Sequence, residues 1–183
     1  NPEDGDGWEK LFSERMCRHF FEDYGLDVKV ARYHNIYGPH GTYDGGREKA
    51  PAALCRKVIY SILNSENTID VWGDGEQTRS FLYIDDCVEA TLRLFDSKYH
   101  GPINIGSEEK VSINEMIDKI EIISNKKIKR NYQLDKPKGV RGRNSNNDLI
   151  RKQLNWDPKY TLQSGLDKTY QWILSEIKKK HNQ

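Results

Sequence analysis

With 183 residues, 36% of them hydrophobic and 31% charged, the chain is long enough for one good core or two small lobes. Ten Tyr, five Phe and four Trp make it too aromatic to be disordered. A net charge of +1 gives no reason to expect nucleic acid or a membrane surface as a partner, and no apolar run approaches the roughly 20 residues that span a bilayer.

The stretch "DGWEKLFSERMC" opens a predicted helix, because Trp8, Leu11, Phe12, Met16 and Phe20 recur at helical spacing and Gly25 ends the run. Asp6 reads as its N-cap, with Glu9 at the third helical position, and Asp6 also stands one turn before Lys10. "LDVKVARY", residues 26–33, alternates as a strand, and a Gly- and Pro-rich loop runs over residues 34–51. Residues 52–63 are predicted helical. "TIDVWGDGEQTRSFLYI" reads as two short strands around a Gly-Asp-Gly turn. Ile84, Cys87, Val88, Thr91, Leu92 and Phe95 form an apolar helical stripe, with Asp85 or Asp86 as the cap. "GPINIG" is a short buried strand, "SINE" (112–115) is a capping box opening the next helix, and 127–132 is a further strand. A polar loop over 135–150 precedes a final helix from about 162 to 180. The pattern is α/β, with strands 26–33 and 102–105 as parallel-sheet strands awaiting neighbours. Cys17, Cys55 and Cys87 are odd in number and form no CxxC pair, so they read as reduced thiols of a cytoplasmic protein. No signal peptide is visible. No strand–GxGxxG–helix unit is present either, since "GTYDGG" follows a loop.

The motifs "RYHNIYGP", "GGREKAPAA", "GDGEQTRSF" and "GVRGRNSNN" resemble the extended short-chain dehydrogenase/reductases, the NAD-dependent epimerase/dehydratase family. Within it they are most similar to the branch that epimerises GDP-mannose at C3 and C5. R-x-x-N-x-Y-G-P and G-D-G-x-x-x-R-x-F mark the family broadly; "GGREKAPAA" with "VRGRNSNN" is narrower. The likeness runs from Gly7 onward. It implies an α/β chain forming the second half of an extended SDR Rossmann-like fold plus a small α/β substrate-binding subdomain. Residues 1–183 would then be a partial domain without the Gly-rich NAD-binding half. Residues 1–35 and roughly 80–106 would belong to the Rossmann core, and roughly 36–79 and 107–183 to the subdomain.

The resemblance also implies roles. Lys10 matches the lysine that hydrogen-bonds the NAD ribose and lowers the pKa of a tyrosine four residues earlier; here Asp6 stands in that tyrosine's place. A carboxylate with a reference pKa near 3.9 has no proton to give at neutral pH. Lys49 matches the acid that reprotonates the sugar ring, whose partner base is a cysteine matched by none of Cys17, Cys55 and Cys87. Asn35 is expected to bond the sugar nucleotide, and His34 reads as a loop hydrogen-bonder. Arg79, Arg141 and Arg143 are expected to clamp the diphosphate, since a guanidinium fork meets phosphate oxygens in pairs, with Asn144 and Ser145 adding polar contacts. The implied reaction is C3/C5 epimerisation of a GDP-sugar through a transient 4-keto sugar with bound NAD. The implied assembly is a homodimer through helices 7–24 and 84–96, and this stretch alone is expected to be inactive. A different sugar-nucleotide enzyme of the family (4-epimerase, dehydratase or decarboxylase) and a non-catalytic nucleotide-sugar-binding module remain open.

Overall fold

A computed structural model describes residues 4–136 and 142–181. Helix α1 (Gly5–Tyr24) does begin where the apolar spacing begins, but its cap is Asp4, whose side chain accepts from the Gly7 N–H at 2.9 Å. Asp6 lies inside the first turn instead, so the expected Asp6 cap is corrected by two residues. The helix ends at Gly25 in the left-handed conformation, φ 66°, where a side chain is disfavoured. None of its residues is buried; Trp8, Phe12, Met16 and Phe20 are all exposed.

Strand β1 (Val30–Tyr33) is shorter than the alternation over 26–33 suggests, because only these four residues pair, in parallel register with β6 (Pro102–Ile105). The two strands expected to await neighbours are therefore neighbours of each other. Beyond β1 come β2 (Ile36–Tyr37) and α2 (Ala50–Leu63), then β3 (Thr68–Trp72), β4 (Thr78–Ser80), β5 (Leu82–Tyr83) and α3 (Ile84–Asp96). The strands flanking the Gly-Asp-Gly turn exist but do not pair with one another. Strand β3 runs parallel to β8 (Lys129–Gln133), while β4 joins β7 (Lys110–Ser112) antiparallel and β9 (Gly142–Arg143) parallel. Gly73 and Gly75 take φ 72° and 75°, turning the chain from one sheet into another rather than back on itself.

Helix α3 buries Cys87, Ala90 and Leu94, whereas Val88, Leu92 and Phe95 of the same predicted stripe are exposed. Its N-cap is Tyr83 without a side-chain bond. Asp86 is not the cap either. Buried, it accepts from the Lys159 and Tyr160 N–H groups at 3.0 Å each and fixes the entry to the last helix. The capping box is present as predicted, with Glu115 N–H to Ser112 Oγ at 3.1 Å and Ser112 N–H to Glu115 Oε2 at 2.7 Å, opening α4 (Ile113–Ser124). The predicted polar loop contains α5 (Asp148–Leu154), too short and polar to show an apolar period.

Two clusters form the core. One gathers Leu82, Cys87, Ala90, Leu94, Ile103 and Ile105 around β6 and α3, joined by Ile150 and Trp156. The larger is built on α6 (Leu162–His181), whose Leu162, Leu166, Ile173 and Ile177 stack at helical spacing against α2 and α4. Gly165 sets how closely α6 approaches β2 and β5. A Cβ there would lie 2.2 Å from Tyr37 Oη and 2.9 Å from the Tyr83 ring. Gly165→Ala is therefore expected to cost about 1–3 kcal/mol through overpacking, read as a lower midpoint in urea denaturation with unchanged slope.

Candidate anion-binding site

The ends of β1 and β6 bring one group of sequence-predicted residues together. His34 donates its N–H to Ile105 O at 3.0 Å, extending the β1–β6 ladder by one residue. Asn35 follows with φ 35°, a left-handed conformation that asparagine tolerates. Its carbonyl accepts from Leu82 N–H at 3.1 Å and its Nδ2 donates to Ser80 O at 3.1 Å. One Asn35 amide hydrogen is thus committed to holding β4 and β5 beside the end of β1.

Strand β4 places Arg79 in register with Arg143 of β9. Two guanidinium side chains on adjacent strands face the same neighbourhood, and neither makes an ion pair among the described residues. Arg79 Nη1 donates to Thr78 O at 2.7 Å, which steadies its head without neutralising it. Like charges held side by side are unfavourable unless an anion joins them, so this arrangement suits a phosphate or diphosphate. Arg141, the third predicted arginine, lies outside the described residues.

What holds β9 in place was not legible in the sequence. Asn147 is fully buried and ties the segment after β9 to the end of β6: its Nδ2 donates to Gly106 O at 2.9 Å and its N–H to Glu108 Oε1 at 2.9 Å. Arg151, bonded to Glu108, keeps that carboxyl below the usual carboxylate range. Ser145 is buried, and its hydroxyl donates to Asn147 Oδ1 at 2.8 Å, so its place is in the support of the loop. Asn144, exposed, donates to the Ser145 carbonyl at 3.1 Å. Gly106 permits the approach, since a Cβ there would fall 2.7 Å from Ser145 Cβ and 2.8 Å from His34 Cβ. The run of asparagines before the acidic start of α5 was the available signal for Asn147. Asn147→Ala is expected to cost about 1–3 kcal/mol by leaving the Gly106 carbonyl unpaired, measured by chemical denaturation.

His34 sits at the same corner. Burial pushes its imidazole below the ordinary 6.5, and the Arg143 charge acts the same way against a hydrogen bond with Asn104. The folded state thus prefers neutral His34, so its contribution to stability is present above the ordinary value and is lost as pH falls below it. Thermal denaturation between pH 5 and 8 should show a shallower acid-side decline for His34→Gln than for the parent chain.

The remaining predicted residues stand apart. Asp6 and Lys10 form an exposed ion pair on α1, 2.7 Å apart, and Asp6 pushes the Lys10 amine above its ordinary value through the hydrogen bond and the charge. Lys49 is exposed at the N-cap of α2 and makes no ion pair among the described residues. Among those residues no hydrogen bond or ion pair links Lys49 or Lys10 to the arginine pair. Burial raises the thiols of Cys55 and Cys87, which are poor candidates for a base.

Comparison with known proteins adds an independent line. Residues 7–106 match the model of the NAD dependent epimerase/dehydratase family. The GDP-mannose 3,5-epimerase of Arabidopsis thaliana is 49% identical over 178 residues, which cover 97% of this chain and 46% of that protein. GDP-mannose 3,5-epimerase 1 of Oryza sativa subsp. japonica is 48% identical over 182 residues, covering 100% and 47%. Among solved structures, the UDP-glucose 4-epimerase of Thermotoga maritima with UDP-glucose superposes with a TM-score of 0.83 at 27% identity, over 93% of this chain and 53% of that one. The chain spans about half the length of the curated relatives it matches.

Proposed function

Because the chain belongs to the NAD dependent epimerase/dehydratase family, we propose that it is the sugar-nucleotide-binding portion of a GDP-mannose 3,5-epimerase. The observation that carries this reading is the in-register pair Arg79–Arg143, two guanidinium groups on neighbouring strands with no ion pair among the described residues. Guanine as the base and mannose as the sugar are supported by the two relatives at 48–49% identity, matched over 97–100% of this chain and 46–47% of their own length.

In this reading Arg79 and Arg143, with Arg141, bind the diphosphate and thereby fix the sugar's distance from the chemistry. Asn35, with one amide hydrogen engaged by Ser80, orients a sugar hydroxyl. Asn144 and Ser145 act through the loop that carries Arg143. Lys49 holds the proton that returns to the sugar ring, its exposed ammonium free of any carboxylate among the described residues. NAD is the oxidant that the reaction class requires; Lys10 would reach its ribose only by releasing Asp6. The cytoplasm, and a homodimer through the exposed apolar faces of α1 and α3, complete the proposal; three unpaired cysteines suit a reducing compartment. In this reading residues 1–35 and roughly 80–106 belong to the Rossmann core, and roughly 36–79 and 107–183 to the substrate-binding subdomain. One observation favours a second reading: Asp6 and Lys10, the residues that the motif likeness aligns with the acid–base pair, are bonded to each other, as suits a module that binds nucleotide sugars without converting them.

Calorimetric titration of the chain with GDP-mannose tests the reading. Saturable one-site binding that GDP competes away is expected. A folded chain that binds no GDP-sugar defeats it, and equal affinity for UDP-glucose moves the assignment to a 4-epimerase.

A further inference from the structure

The segment between β2 and α2 carries Lys49, and nothing in it is helix or strand. Its course is nonetheless set by two anchors. The polar one is Arg56, almost two turns into α2. Its Nε donates to Tyr43 O at 2.8 Å and its Nη2 to Glu48 Oε1 at 2.9 Å, and Asp44 Oδ1 lies 3.6 Å from Nε. Glu48, its carboxylate only 8% exposed, accepts with its second oxygen from Gly46 N–H at 2.7 Å. Burial alone would raise that carboxyl; hydrogen bonds from its own N–H, from Arg56 and from Gly46, with the Arg56 charge, leave it below the usual value. Gly45 and Gly46 take φ 92° and 83°, a tight path around the guanidinium that residues with side chains rarely adopt. The apolar anchor is Trp172 of α6, with ring centroids 5.4 Å from both His40 and Tyr43, while the Lys180 ammonium lies 5.1 Å over the Tyr43 ring.

Lys49 follows Glu48 directly and has no ion pair of its own among the described residues. We infer that Arg56 is the positioning residue for Lys49: by gathering Tyr43, Asp44 and Glu48 around one guanidinium, it fixes where the Lys49 amine is presented to the sugar. This rests on the proposed role of Lys49. An exposed lysine side chain carries substantial rotamer freedom, so its placement depends on a fixed backbone. Only an arginine fork can donate to a carbonyl and a carboxylate at fixed angles; a lysine at position 56 supplies the charge without the geometry.

The test compares the parent chain with Arg56→Ala and Arg56→Lys, using GDP-mannose, GDP and hydrogen exchange. In Arg56→Ala the amides of residues 43–49 should exchange at least about tenfold faster, while those of Val58 and Ile59 in the α2 core stay protected. Affinity for GDP, which has no mannose, should hold within about twofold, while the preference for GDP-mannose over GDP falls about tenfold, the equivalent of one broken hydrogen bond. Methylguanidinium at millimolar concentration should restore both loop protection and preference; Arg56→Lys should restore neither. Equal losses for GDP and GDP-mannose make Arg56 a general support of the fold and overturn the inference. Unchanged exchange over 43–49 also overturns it, leaving Trp172 as the anchor. If the loop loosens and methylguanidinium tightens it, yet Lys49→Ala keeps the GDP-mannose preference, then the role given to Lys49 fails and Arg56 is a brace without a catalytic purpose.

Discussion

On the epimerase reading proposed above, Asp6→Tyr is expected to raise GDP-mannose turnover in the presence of NAD by about 10²- to 10⁴-fold, the usual contribution of a positioned acid–base group. The reason is the proton inventory at that position. Asp6 and Lys10 sit one helical turn apart, 2.7 Å between carboxylate and ammonium, and both side chains are more than 70% exposed. In that pair the hydrogen bond and the charge of Asp6 push the Lys10 amine above its ordinary value and hold it protonated. A phenol with a reference pKa near 10 in the same place would be the group that the lysine lowers, and it would have a proton to exchange at neutral pH. Helix α1 is capped by Asp4, so the substitution leaves the helix start intact and the melting temperature should move little. Turnover measured by epimer formation reads the outcome directly. No gain in a well-folded Asp6→Tyr protein would mean that position 6 is not where the chemistry takes its proton, and the non-catalytic reading would then be preferred.

The second large effect concerns the arginine pair. Arg79→Ala and Arg143→Ala should each weaken GDP-mannose binding about 10- to 100-fold, corresponding to about 1.5–3 kcal/mol for a charge-assisted hydrogen bond. The dependence of affinity on salt should flatten with each charge removed. Stability should move in the opposite sense. In the ligand-free chain the two guanidinium groups stand in register on β4 and β9 without a carboxylate among the described residues, so removing one relieves a repulsion. The melting temperature of either variant should therefore equal or slightly exceed that of the parent. An arginine variant that lost both affinity and stability would identify a structural pair, with the diphosphate held elsewhere.

Much of the local structure was legible because local chemistry controls it. The apolar spacing of residues 8–20, the glycine after it, the capping box at Ser112–Glu115 and the final helix from about residue 162 each depend on residues within a few positions. Errors clustered where a distant residue decides. The turn at Gly73–Gly75 looked like a hairpin, yet β3 finds its partner about 60 positions away in β8, and nothing inside the turn announces that. Asp86 looked like a helix cap because acidic residues at helix starts usually are; two backbone N–H groups at Lys159 and Tyr160 claim it. Within the candidate site the arginines were legible as residue types, and the motif likeness singled them out. The parts of Asn147 and Arg56 were not: Asn147 lies within a quoted motif, yet nothing there says which of its asparagines is buried, and a guanidinium bonding to a loop carries no period.

The sequence by itself therefore determined the α/β character, most helix limits, the family resemblance and the pairing of Asp6 with Lys10 one turn later, all of which rest on residue chemistry and short spacing. Only the tertiary structure decided that Arg79 and Arg143 stand side by side, that Ser145 supports rather than faces the site, that Val88, Leu92 and Phe95 are left uncovered, and that the Lys49 loop is wound around Arg56. The physical reason is the same in each case. Charge, burial and hydrogen-bond satisfaction are properties of neighbourhoods, and these are assembled by parallel strands and packed helices whose partners lie tens of residues apart.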